Sequence, residues 1–157
     1  LRHDGPSLDG KRFARIIKYL DFNVKNRRLF MAKQAVSTPH APRAVGPYSQ
    51  GILANGFIFV SGQVPLGPDG KLIVGDIQAM ARQCLENIRA ILAAAGATME
   101  DLVKVTVFAR DLNQFKAINE VYQSYFSKTP PARSFVEVSR LPRDAEIEME
   151  GIAVLPQ

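Results

Sequence analysis

A chain of 157 residues, 46% apolar and 8% aromatic, has the composition of one globular domain of ordinary size. No apolar run approaches the roughly 18 residues that a membrane-spanning helix requires, which argues against a membrane partner. The net charge of +5 is unevenly placed: residues 1–30 hold eight basic and three acidic side chains, leaving twelve of each sign in residues 31–157. A domain that binds nucleic acid through its main surface is itself basic, because phosphate neutralisation supplies most of the affinity. The neutral body argues against that class of partner, and only the N-terminal arm keeps it in play.

Met31-Ala-Lys-Gln-Ala reads like a natural protein start. The expected organisation is therefore a basic extension over residues 1–30 and one domain over 31–157. In the extension, Phe13, Ile16, Ile17 and Leu20 recur at helical spacing, with Lys11, Arg12, Arg15 and Lys18 on the other side. That is an amphipathic helix, suited to a targeting or membrane-surface segment. The preferred expectation is plainer: an arm that packs its stripe on the domain or on a neighbouring subunit.

Farther along, Ile52–Ala54 and Phe57–Val60 flank Asn55-Gly56, a two-residue hairpin signal. Pro65 to Gly70 reads as a loop. Gly75-Asp76 opens a helix with Ile77, Ala81, Cys84, Leu85, Ile88, Leu92 and Ala95 on one face, and Gly96 suits its end. Leu102–Phe108 is β-branched and alternating, hence a strand. Asp111 or Asn113 caps a second helix carrying Phe115, Ile118, Tyr122 and Tyr125, and Pro130-Pro131 forbids its continuation. Two strands follow, Arg133–Val138 and Glu146–Val154, around a loop with Leu141-Pro142.

The predicted order is β-β-α-β-α-β-β, an α+β layer with two helices on one face of a mainly antiparallel sheet. Two helices cover only one face. Val103–Phe108 places apolar residues on the other as well, so an oligomer is expected.

Few residue patterns suggest chemistry on their own. Cys84 has no partner for a disulfide and reads as core, compatible with a reducing, cytoplasmic setting. His3 and His40 are unlinked, so no metal site is expected. Serine-hydrolase, nucleotide and dinucleotide signatures are absent. Arg133 follows a rigid Pro-Pro entry at a strand start, where its guanidinium can fork a carboxylate as Lys cannot. Glu146, Glu148 and Glu150 alternate with Ile147 and Met149 and share one strand face. Tyr48 lies in a Gly-Pro-Tyr turn, and Ser61-Gly62-Gln63 ends a strand. Singly, each pattern is as well explained by a solvated surface.

In combination they are specific. Val45-Gly-Pro-Tyr-Ser-Gln-Gly51, Val60-Ser-Gly-Gln-Val-Pro65, Asn87, Lys104-Val-Thr-Val-Phe108, Pro131-Ala-Arg-Ser-Phe-Val-Glu-Val138 and Ile147-Glu-Met149 closely resemble the RidA/YjgF/YER057c/UK114 family over about residues 31–156. The resemblance implies a chorismate-mutase-like α+β fold and a homotrimer with a barrel-like core and active sites between subunits. It implies hydrolysis of 2-imino acids or their enamine tautomers to 2-oxo acids and ammonia, without cofactor. By the same resemblance Arg133 holds the substrate carboxylate, Glu148 positions or activates water, and Tyr48 lines the pocket. Ser61, Gly62 and Phe135 meet the imine end, largely through backbone, and Asn119 belongs to the site. Phe135 is a departure, since many bacterial members carry Cys there; it puts the preferred substrate size in question. Imines are electrophilic enough for positioning and one acid/base group to suffice, and burial in the trimer would raise the Glu148 pKa. Two other readings stand beside the deaminase: a carboxylate-binding or chaperone-like module without turnover, and an endoribonuclease or translation inhibitor.

Overall fold

Asn55 and Gly56, at φ 51° and 78°, adopt the left-handed backbone that a two-residue hairpin demands. They join β2 (Gly51–Ala54) to β3 (Phe57–Gln63), with Ala54 opposite Phe57. The computed structural model describes residues 32–156, together with Lys18. The Phe13, Ile16, Ile17 and Leu20 stripe lies outside the described residues. Lys33–Gln157 forms one compact unit.

Helix α1 (Ile77–Ala94) starts where the Asp76 carboxylate accepts from the backbone N–H of Gln78 and Ala79, at 2.9 and 3.2 Å. It stops where Gly96, at φ 84°, lets its own N–H and that of Ala97 reach back to Ala93 and Leu92. β4 (Leu102–Ala109) leads through a 3-10 turn, Leu112–Gln114, into α2 (Phe115–Gln123). β5 (Ala132–Glu137) and β6 (Ile147–Val154) complete the chain. Three differences from the sequence reading stand out. An extra strand, β1 (Gln34–Val36), pairs with β2. Asp111 caps the 3-10 turn rather than the helix, and α2 ends before Tyr125. Glu146 lies outside β6, so only Glu148 and Glu150 share the strand face.

The six strands run in the order β1-β2-β3-β6-β4-β5, all antiparallel to their neighbours except the parallel β4–β5 pair. On one face Ile58, Val105, Val107, Ile147, Met149 and Ala153 are fully buried, with Leu85, Ile88, Ile91 and Leu92 of α1 and Ile118 of α2. The opposite face carries Phe57 (43% exposed), Phe59 (44%) and Val154 (41%), in the rows Phe57–Val154 and Phe59–Ile152. These side chains are already more than half covered, so hiding the remainder is worth roughly 1 kcal/mol each. The face without helices is therefore a standing incentive to associate.

A candidate active site in two halves

The first half lies on the face without helices, where β3 and β6 lose register between Val60 and Gln63. A bulge of this kind re-aims side chains. An open cavity of about 720 Å³ here is lined by Tyr48, Ser61, Gly62, Glu148 and Glu150, with Arg43 and Arg143 also on its wall. Glu148 rests against the Gly62 α-carbon so closely that a Cβ there would overlap its carboxylate. Glycine at 62 is thus a steric requirement of Glu148. Burial, reinforced by the charge of Glu150, pushes the Glu148 carboxyl above its ordinary pKa already in the single chain.

The walls of this cavity are tied down by polar groups. Ser61 donates its hydroxyl hydrogen to the Ser49 carbonyl at 2.6 Å, leaving only its lone pairs for a ligand. Buried Gln50 accepts from the Thr38 N–H at 2.7 Å and donates to the carbonyls of Thr38, Ala41 and Pro42. It holds the segment that runs into the Tyr48 loop. Tyr48 itself is half exposed, with the Val45 N–H reaching its phenol oxygen at 3.4 Å. Asn87, fully buried on α1, donates to the carbonyls of Val64 and Leu66, fixing the far rim.

The second half lies under α2. Arg133 pairs with Val105, whose side chain is on the helix-covered face, so Arg133 points there as well. Its guanidinium carbon stands 4.4 Å from the Tyr122 ring centre and 5.7 Å from those of Phe115 and Phe135. Its Nη1 is buried without a hydrogen-bond partner, and so is the Tyr122 hydroxyl. Burial lifts the Tyr122 pKa to about 12, against the opposing pull of Arg133, so the phenol keeps its proton. Asn119 lies four residues after Phe115 and three before Tyr122, on the same helical stripe. An unpaired guanidinium edge in an aromatic cage suits a small carboxylate, since buried donors without partners are costly.

One chain therefore brings together Tyr48, Ser61, Gly62 and Glu148, and separately Arg133, Phe135 and Asn119, but does not join the two sets. Glu148 pairs with Phe108, and Arg133 with Val105; three residues apart on β4, these partners face opposite sides of the sheet. Sequence reasoning overlooked Arg43, Arg143 and Glu150 as cavity residues and Phe115 and Tyr122 as the cage. The helical repeat of Phe115 and Tyr122 was visible but reads equally as core. Among the described residues no cluster of His, Cys, Asp or Glu is arranged to hold a metal ion, and no helix is long and apolar enough to cross a membrane.

Comparison with known proteins adds three relatives and one family. Residues 38–155 match the family model Endoribonuclease L-PSP. A RutC family protein of Pyrococcus abyssi is 53% identical over 124 residues, spanning 78% of this chain and 98% of that protein. The 2-iminobutanoate/2-iminopropanoate deaminase of Escherichia coli is 47% identical, over 77% of this chain and 97% of its own length. The crystal structure of E. coli TdcF with bound serine superposes with a TM-score of 0.74 at 46% identity, covering 77% of this chain and 98% of that one.

Proposed function

The chain belongs to the RidA/YjgF/YER057c/UK114 family, and on that premise we propose that it hydrolyses reactive 2-imino acids, such as 2-iminobutanoate and 2-iminopropanoate, to 2-oxo acids and ammonia. The observation that carries this reading is the buried, unpartnered Nη1 of Arg133 in its aromatic cage. Arg133 holds the substrate carboxylate there, and Phe135 and Asn119 flank it. Glu148, with its raised pKa, takes a proton from water as the oxygen adds to the imine carbon. The C=N bond becomes single. Glu148 passes that proton to nitrogen, giving a carbinolamine, then takes the hydroxyl proton and delivers it to the amine as the C–N bond breaks, ammonia leaves and the C=O bond forms. Ser61 offers lone pairs to the imine N–H, Gly62 leaves room for the Glu148 carboxylate, and Tyr48 closes the side of the cavity.

Opposite faces of one sheet cannot serve one substrate, so the two halves meet only when a second copy docks. A homotrimer that buries the Phe57–Phe59–Val154 faces in a barrel-like core supplies that docking. No cofactor enters this scheme, and a cytoplasmic setting belongs to the same reading. An endoribonuclease finds less support, since residues 31–157 carry no excess positive charge.

The test uses an amino-acid oxidase to generate the imino acid in situ and follows ammonia release. Wild type accelerates release, and Arg133→Ala falls to the uncatalysed rate while light scattering shows the same oligomer. Full activity in Arg133→Ala contradicts the assignment. Ligand binding at Arg133 without acceleration makes the protein a carboxylate-binding module instead.

A further inference from the structure

We propose that Phe115 and Phe135 form the subsite for the substrate side chain, and that they make this protein select imino acids with large apolar or aromatic side chains over those of three or four carbons. The inference rests on Arg133 as the carboxylate anchor and goes on to name the substrate class. The three rings around Arg133 do not have the same part. Tyr122 is only 4% exposed and lies nearest the guanidinium, at 4.4 Å, so it is the platform on which Arg133 rests. In the single chain, before a second copy docks, Phe115 is 44% exposed and Phe135, on β5, is half-buried. Their rings meet edge to face, 4.9 Å apart at an angle of 62°, and both centres stand 5.7 Å from the guanidinium carbon.

Covalent dimensions set where a bound acid must lie. A carboxylate carbon forked by a guanidinium sits about 4 Å from the guanidinium carbon, and the α-carbon about 1.5 Å beyond it. The first side-chain carbons then fall roughly 5–7 Å from the guanidinium carbon, the distance at which the two phenylalanine rings stand. A methyl or ethyl group touches part of one ring, whereas a benzyl or isobutyl group covers both. Leu112, 45% exposed, begins the 3-10 turn before Phe115, and its N–H donates to the Glu137 carboxylate at 3.0 Å, which fixes that turn against β5. Exposed aromatic surface beside a charged anchor favours a ligand with an acid at one end and an apolar body at the other.

The 2-oxo acid products are convenient probes, because their binding does not depend on turnover. Calorimetry with pyruvate and phenylpyruvate on full-length wild type, Phe135→Cys, Phe115→Leu and Arg133→Ala measures the preference directly. Wild type should favour phenylpyruvate by about tenfold, the size of an aromatic contact. That ratio should fall toward one in Phe135→Cys and Phe115→Leu. The corresponding kcat/KM ratio for imines made from phenylalanine and alanine should fall with it. An unchanged ratio in both variants overturns the subsite. So does a wild-type preference for pyruvate that Phe135→Cys relaxes, which would make Phe135 a barrier to large acids. If neither acid binds wild type, the Arg133 anchor itself fails. Binding that requires Arg133 but ignores side-chain size refutes the subsite alone.

Discussion

Gly62→Ala isolates the contribution of one carboxylate position. The added Cβ would lie 2.9 Å from Glu148 Cδ and 3.3 Å from its Cγ, and would overlap the carboxylate itself. Gly62 does not have the left-handed backbone that penalises alanine, so the whole perturbation falls on Glu148. The obstructed atoms end a half-buried side chain that can rotate away. The stability cost therefore belongs at the low end of the overpacking range, about 1 kcal/mol, or a few degrees in Tm. The catalytic cost is larger, since a displacement of about 1 Å in a reacting group lowers rates by roughly 100-fold. Steady-state kinetics on 2-iminobutanoate generated in situ should show kcat down by about that factor, with KM little changed because Arg133 is untouched. A kcat within a few-fold of wild type would refute the argument that Glu148 must lie against Gly62 to work. So would a large rise in KM at constant kcat.

Two further substitutions address other parts of the account. Because burial raises the Glu148 pKa in the folded state, its protonated form is the stable one, and that contribution is lost as pH rises through the raised value. Glu148→Gln should thus raise Tm at pH 7 and leave it nearly unchanged near pH 4, while abolishing turnover; a lower Tm at pH 7 would contradict the burial argument. In wild type the same shift predicts that kcat falls on acidification at a pH above the usual carboxylate range, as a general base takes up its proton. Gln50→Leu deprives the Thr38–Pro42 segment of four hydrogen bonds, and urea unfolding should register a loss of about 2–4 kcal/mol.

The sequence made the hairpin at Asn55-Gly56 and the helix between Asp76 and Gly96 legible because both depend on local backbone chemistry. β1 escaped notice because three residues, Gln34–Val36, are too few to show alternation. Glu146 was placed in the last strand by its alternation with Ile147 and Glu148. β6 begins one residue later, at Ile147, although the Glu146 carbonyl still accepts from the Arg110 N–H at 3.0 Å; Arg143 and Asp144, just before it, are both at positive φ. The candidate site residues could be named as a set only through the family motifs, which also implied a site between subunits, but which residues share a face of the sheet could not be read from the sequence. That division follows from the parallel β4–β5 register, a long-range property that places Arg133 beside Val105 and not beside Phe108. Tyr122 does belong to the core, but the helical stripe it shares with Phe115 does not reveal that one of its neighbours is a guanidinium.

That two copies must each contribute half of a site is the central claim, and mixed oligomers test it most directly. Arg133→Ala and Glu148→Gln chains, each expected to be inactive alone, would be co-expressed with different tags and purified as mixed oligomers, which on the proposed assembly are trimers. A trimer containing both variants regains one intact interface, with Arg133 from one chain and Glu148 from its neighbour. Its activity should therefore return to about one third of the wild-type trimer's. Mixed trimers as inactive as their parents would contradict the account, because that is the result expected if Arg133 and Glu148 act within a single chain.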